Sequence, residues 1–171
     1  MSCSENERKA MKKIAVALMA CWALAQAGAT ELDWMTDLGK AQAKAKEENR
    51  LVLMDFTGSD WCPWCIKLHK EVFSTPEFTA YAKKNLVAVE IDFPRQKEQS
   101  AELKQANRAL QAKYGIRGYP TVIVLNSNGK KIGELGYEAG GPKPFIAKLE
   151  ALKAKDGAVS AAERDRQNEG S

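Results

Sequence analysis

The chain has 171 residues, 44% of them apolar and 28% charged, which excludes disorder along its length and allows one ordinary domain. Its formal charge is +4, but four basic and two acidic residues precede Thr30, leaving 22 basic against 20 acidic in the remainder. That balance argues against nucleic acid or an anionic membrane surface as a partner.

Near the start, Lys12-Lys13 precedes an apolar run over 14–25. At about a dozen residues this run is too short to span a bilayer as a helix. Ala25-Gln26-Ala27 and Ala27-Gly28-Ala29 then offer small-residue cleavage sites. A basic stretch, a short apolar stretch and a small-residue site together predict a signal peptide over 1–29, and so a periplasmic or secreted mature chain. Leu18-Met19-Ala20-Cys21 loosely resembles a lipobox, so a lipid anchor at Cys21 is the alternative route. Removing 1–29 takes Cys3 and Cys21 away and leaves two thiols, Cys62 and Cys65.

Residues 34–49 are rich in Ala, Lys and Glu, with Leu38, Ala41 and Ala45 at helical spacing, and predict an amphipathic helix. The apolar run 51–56 predicts a buried central strand. A helix is expected over 66–73. Thr75-Pro76 then marks the start of another, with Thr75 as cap and Pro76 in the first turn. Residues 86–92 predict a second strand, 98–113 a helix ending at Tyr114-Gly115, and 121–125 a third strand. Asn128-Gly129 supplies the turn of a hairpin that returns over 131–135. A helix over 142–154 closes a domain spanning 30–155, and the polar stretch 156–171 is expected to be a disordered tail. The order α, β, α, β, α, β, β, α implies an α/β domain, with a mixed sheet flanked by helices on both faces.

The chemistry concentrates in Thr57-Gly58-Ser59-Asp60-Trp61-Cys62-Pro63-Trp64-Cys65. A C-x-x-C that follows a strand and opens a helix is a candidate redox pair. Unpaired N–H groups and the helix dipole lower the pKa of a thiol at a helix start. The spacing puts Cys62 at the exposed start and Cys65 nearly one turn in, so Cys62 attacks a disulfide and Cys65 resolves the mixed disulfide. Pro63 suits the first turn, where no N–H is required. Trp61 and Trp64 flank the thiols and are candidate substrate contacts.

Rival readings exist. A metal site has only Cys62, Cys65 and His69 to draw on, short of a four-ligand structural site. A c-type haem needs His where Ile66 stands. Two inert buried thiols are the plain alternative. No cofactor and no metal are invoked.

With WCPWC at 61–65 and GYPT at 118–121, residues 34–154 resemble the thioredoxin family, in particular its exported bacterial members. The resemblance implies a thioredoxin fold, with Cys62 as nucleophile, Cys65 as resolving thiol and Pro120 as a cis-proline facing them. It further implies that the backbone of Tyr119 and Thr121 aligns an extended substrate strand. Asp55 matches the family's buried acid, which serves the resolving cysteine. The segment from Asp55 to Cys62 is one residue longer than in ordinary thioredoxins, and Asp60 is the second candidate carboxylate. The Pro63-Trp64 dipeptide differs from those of the cytosolic thioredoxins, the strong periplasmic oxidants and the isomerases. The implied activity is thiol–disulfide exchange on exported proteins with disulfides. A reductase or isomerase kept reduced by a membrane electron donor is expected ahead of an oxidase. The alternative is a thioredoxin-fold binding or chaperone module without turnover.

Overall fold

The structure is a computed structural model and describes residues 31–169. The expected signal peptide and the Cys21 anchor lie outside the described residues. Five strands form one sheet: β1 (Trp34–Met35), β2 (Leu51–Thr57), β3 (Leu86–Asp92), β4 (Thr121–Leu125) and β5 (Lys131–Leu135), in the spatial order β1-β3-β2-β4-β5. β3 runs parallel to both β1 and β2, whereas β4 is antiparallel to β2 and to β5. The helices are α1 (Leu38–Glu47), α2 (Pro63–Leu68), α3 (Pro76–Asn85), α4 (Ala101–Tyr114) and α5 (Pro142–Glu169). Among the described residues no helix is long and apolar enough to cross a membrane.

All seven residues of β2 are buried, because β3 and β4 cover its edges and helices cover its faces. Alternation divides its side chains between two cores. Leu51 and Leu53 pack with Leu68, Phe73, Phe78 and Leu149 on one face. Val52, Met54 and Phe56 pack with Ala41, Ala45 and Ile123 on the other. Each fully buried Leu or Phe contributes roughly 1.5–3 kcal/mol over an exposed one. Asp55 and Thr57 alternate onto the face that carries α2, and this places a carboxyl group inside a hydrophobic core.

Local sequence sets the helix ends. The Asp37 side chain accepts from Lys40 N at 3.1 Å and starts α1 there, three residues beyond Trp34. Trp34 and Met35 instead form an edge strand against Ala88 and Val89, with the Trp34 ring edge-on to Phe73 at 5.3 Å. This corrects the expectation of one helix over 34–49: packing outweighs the helical composition of its first residues. Thr75 caps α3 with Pro76 behind it, and Gly115 ends α4 at φ 66°. α2 passes into a π-helical turn over His69–Phe73.

α5 continues to Glu169, beyond the expected end at Ala154 and through the stretch 156–169 expected to be disordered. The stretch holds three Ala, two Glu and two Arg, strong helix formers that extend an anchored helix without a core of their own. Asn126 Nδ2 donates to Asp156 Oδ2 at 2.9 Å, which ties that part of α5 to the β4–β5 turn.

Candidate active site

Cys62 is the N-cap of α2. Its Sγ accepts a hydrogen bond from Cys65 N at 3.2 Å, and Pro63 occupies the first turn. Sγ of Cys62 is bonded to Sγ of Cys65, with the Cα atoms 5.2 Å apart. Cys62 is 4% exposed and Cys65 3%. The expectation of an exposed Cys62 is therefore corrected: its sulfur turns back over the first helical turn to meet Cys65, rather than outward into solvent.

The loop before the thiols is clasped from both sides to the segment that follows β3. Asp92, at the end of β3, accepts from Ser59 N at 2.9 Å and from Ser59 Oγ at 2.6 Å. In the other direction, Asp60 accepts from the backbone N–H groups of Arg95, Gln96 and Lys97 at 3.0, 2.7 and 3.0 Å. The Arg95 N–H, followed by those of Gln96 and Lys97, holds the Asp60 carboxyl below its ordinary range. Asp60 is thus a fixed anion that anchors the loop and a poor carrier of protons.

Trp61 joins this loop to the second motif. Its Nε1 donates to Phe93 O at 2.7 Å, the Arg95 guanidinium stacks on its ring at 3.9 Å, and it meets Tyr119 edge-on at 5.9 Å. Tyr119 Oη accepts from Gln111 Nε2 at 2.7 Å. The Tyr119–Pro120 peptide is cis. Thr121 pairs with Phe56 across β4 and β2, so Pro120 sits at the sheet end from which the chain leaves β2 for Cys62. Thr121 Oγ1 donates back to Gly118 O at 2.8 Å and closes the loop.

Trp64 points away from this cluster. It is 56% exposed, lies tilted on Tyr137 at 5.4 Å, and has the Lys67 ammonium over both rings. Ile66 beside it is also exposed. The structure therefore separates the two tryptophans: Trp61 is part of the scaffold and Trp64 is presented to solvent.

A cavity of about 330 Å³ opens beside Cys65, and Asp55, Thr57, His69, Glu90 and Lys97 are among the residues lining it. Asp55 is buried, and its Oδ1 has no protein hydrogen-bond partner. Burial above all, with Glu90 and then Asp92 adding negative charge, pushes its pKa up to about 8. A buried carboxyl that lacks a partner avoids the cost of charge by staying protonated. Asp55 thus lies beside Cys65 with a raised pKa, whereas Asp60 is held as a hydrogen-bonded anion. Glu90 and the Asp92–Ser59 clasp escape the sequence reading. The visible sign of Glu90 is a charged residue in the otherwise apolar run Leu86–Ile91.

A family model described as Thioredoxin-like domain matches residues 38–153. The disulfide bond reductase DsbH of Chlamydia pneumoniae is 34% identical over 128 residues, which cover 74% of this chain and 76% of that protein. A solved structure titled DsbH Oxidoreductase superposes with a TM-score of 0.68 at 33% identity, covering 71% of this chain and 84% of the other. The disulphide isomerase from Xylella fastidiosa Temecula1 gives 0.53 at 26% identity, covering 70% and 98%.

Proposed function

This chain belongs to the thioredoxin-like family, and on that premise we propose that Cys62 and Cys65 reduce disulfides in exported proteins. The observation that carries this reading is the cysteine pair itself, closed at the start of α2 with Cys65 N directed at Cys62 Sγ. In the reduced protein the same N–H favours a thiolate on Cys62. That thiolate attacks one sulfur of a substrate disulfide. A bond forms to Cys62 Sγ, and the other substrate sulfur leaves as a thiolate. Cys65 then gives up its proton to Asp55 in its ionised form, which a pKa raised to about 8 brings within reach at neutral pH, and its thiolate attacks Cys62 Sγ. The Cys62–Cys65 bond forms, the mixed disulfide breaks, and the second substrate sulfur leaves. The substrate gains two electrons and the cysteine pair loses them.

The acids around the cavity support the reducing direction. Negative charge near the thiols disfavours the thiolate of the reduced pair. A dithiol that is poorly stabilised in its reduced form gives its electrons away more readily. The similarity to DsbH, named a disulfide bond reductase, supports the same direction. The signal-peptide pattern over 1–29 supports a periplasmic or secreted location, and such a reductase needs a membrane donor to return it to the dithiol form. Tyr119, Pro120 and Thr121 are assigned to aligning an extended substrate strand, and Trp64 to contacting it.

A protein-disulfide reduction assay with a dithiol as electron source tests the proposal. Wild type turns over and Cys62→Ser does not. Equal activity of the two would reject it in favour of a binding module.

A further inference from the structure

Asp55 on β2 and Glu90 on β3 are partners in the parallel register. Adjacent strands lie about 4.8 Å apart, and residues in register point to the same face. Both side chains line the cavity beside Cys65. Asp55 is buried, while Glu90 is half-buried and nearer to solvent. We propose that Glu90 is a positioning residue for the resolving step: it shares one proton with Asp55 across the β2–β3 ladder and thereby sets the pH at which Asp55 accepts the proton of Cys65.

The arrangement leaves little alternative for that proton. Two carboxyl groups on register partners of adjacent strands, both lining one partly dry cavity, resist ionising together. Asp55 Oδ1 has no protein donor to stabilise a charge. On the β3 side, Asp92 adds a further negative charge on the same face, but its oxygens are committed to Ser59. From the loop after β3, Lys97 opposes the effect of Asp92 on Glu90. From α2 and the turn after it come Cys65, His69 and Lys70, and Glu31 acts on His69 from the start of the described chain. The cations Lys70 and Lys97 belong to exposed side chains, whereas Asp55 is buried and Glu90 half-buried. Burial, then Asp92, shifts Glu90 upward as well, and Glu90 is the first of the charges that raise Asp55.

In the resolving step, one proton leaves Cys65 Sγ for the ionised member of this pair. The Cys65–Cys62 bond forms as the bond from Cys62 to the substrate sulfur breaks. The substrate disulfide is the only oxidant needed. The proposal rests on the reading of Asp55 as the acceptor for Cys65.

The test has two arms. Carboxyl-carbon NMR follows Asp55 and Glu90 against pH in the disulfide form of wild type, Glu90→Gln and Glu90→Asp. A single-turnover measurement follows resolution of a preformed mixed disulfide at Cys62 over the same pH range, with Asp55→Asn added. In wild type both carboxyl carbons report two shared steps. Glu90→Gln leaves Asp55 with a single step, its midpoint lowered by about half to one pH unit, as removal of one nearby charge requires. The midpoint of the resolution rate falls by the same amount, and Glu90→Asp restores both. An unchanged Asp55 midpoint in Glu90→Gln overturns the proposal. So does a shift in the spectra with none in the rate profile. If Asp55→Asn resolves like wild type, the reading of Asp55 itself fails, and the spectra still decide whether the two acids share a proton.

Discussion

The indole of Trp61 stands edge-on to the ring of Tyr119, with centroids 5.9 Å apart. The residue before the first thiol thus touches the residue before the cis proline, and two motifs separated by more than fifty positions in sequence form one surface. Gly58 makes this contact possible. A Cβ at that position would lie 2.5 Å from Trp61 Cε2.

Gly58→Ala should therefore push the indole off Phe93 O and Tyr119 together. Overpacking of this kind costs about 1–3 kcal/mol. Urea unfolding should show that loss, together with weaker disulfide reduction and altered tryptophan fluorescence. A variant with wild-type stability would mean that the indole moves aside freely and does not brace the two loops.

Trp64 makes the opposite prediction, because it is exposed. Trp64→Ala should change unfolding free energy by less than about 1 kcal/mol, since no core is opened. Its effect should fall on recognition: KM for a protein disulfide rises, while reduction of a small aromatic disulfide is unaffected. Equal losses on both substrates would place Trp64 in the chemistry of the thiols instead.

Asp55 links the site to stability through pH. Its folded pKa, near 8, lies above the ordinary 3.8 of the unfolded chain. Below 3.8 both states bind the proton and nothing is lost. As pH rises toward 8, the unfolded chain releases the proton while the folded one retains it, so folding loses free energy throughout that window. Asp55→Asn should be more stable than wild type by a margin that widens between those limits, by at most about 1.4 kcal/mol per pH unit, and then levels off. Denaturant curves at pH 4, 6 and 8, chosen as roughly the ends and middle of the window, measure the margin. A constant difference would show that Asp55 titrates normally in the folded protein.

The two thiols should behave unequally in spite of their equal burial. Cys65→Ala should accumulate a mixed disulfide through Cys62, because the resolving sulfur is missing. Cys62→Ala should accumulate none. Mass spectrometry of the trapped adducts reads the difference, and adducts on Cys65 in place of Cys62 would reverse the roles assigned here.

Where the sequence reading succeeds, the signal is local. The apolar run around Leu53 gives the central strand. Thr75-Pro76 gives one helix start, and Cys62 before Pro63 gives another. It fails where distant packing decides. Trp34 belongs to a helix by composition and becomes an edge strand because Ala88 and Phe73 receive it. Composition also suggests a loose tail after Ala154, while helix propensity and the Asn126–Asp156 contact carry α5 onward. Asp55 and Asp60 both stand as candidate acids in one dimension. The fold separates them, burying one without a protein partner at Oδ1 and surrounding the other with backbone N–H groups. Glu90 is legible only once the register of β2 against β3 is known.

The reduction potential of the Cys62–Cys65 couple, measured by equilibration with a thiol–disulfide redox buffer, decides between a reducing and an oxidising pair. A reducing pair gives a reversible two-electron titration with a midpoint nearer the roughly −270 mV of thioredoxin than the roughly −120 mV of a strong oxidant. A midpoint at the oxidising end would contradict the reducing role, and a disulfide that does not reopen reversibly would contradict redox function altogether.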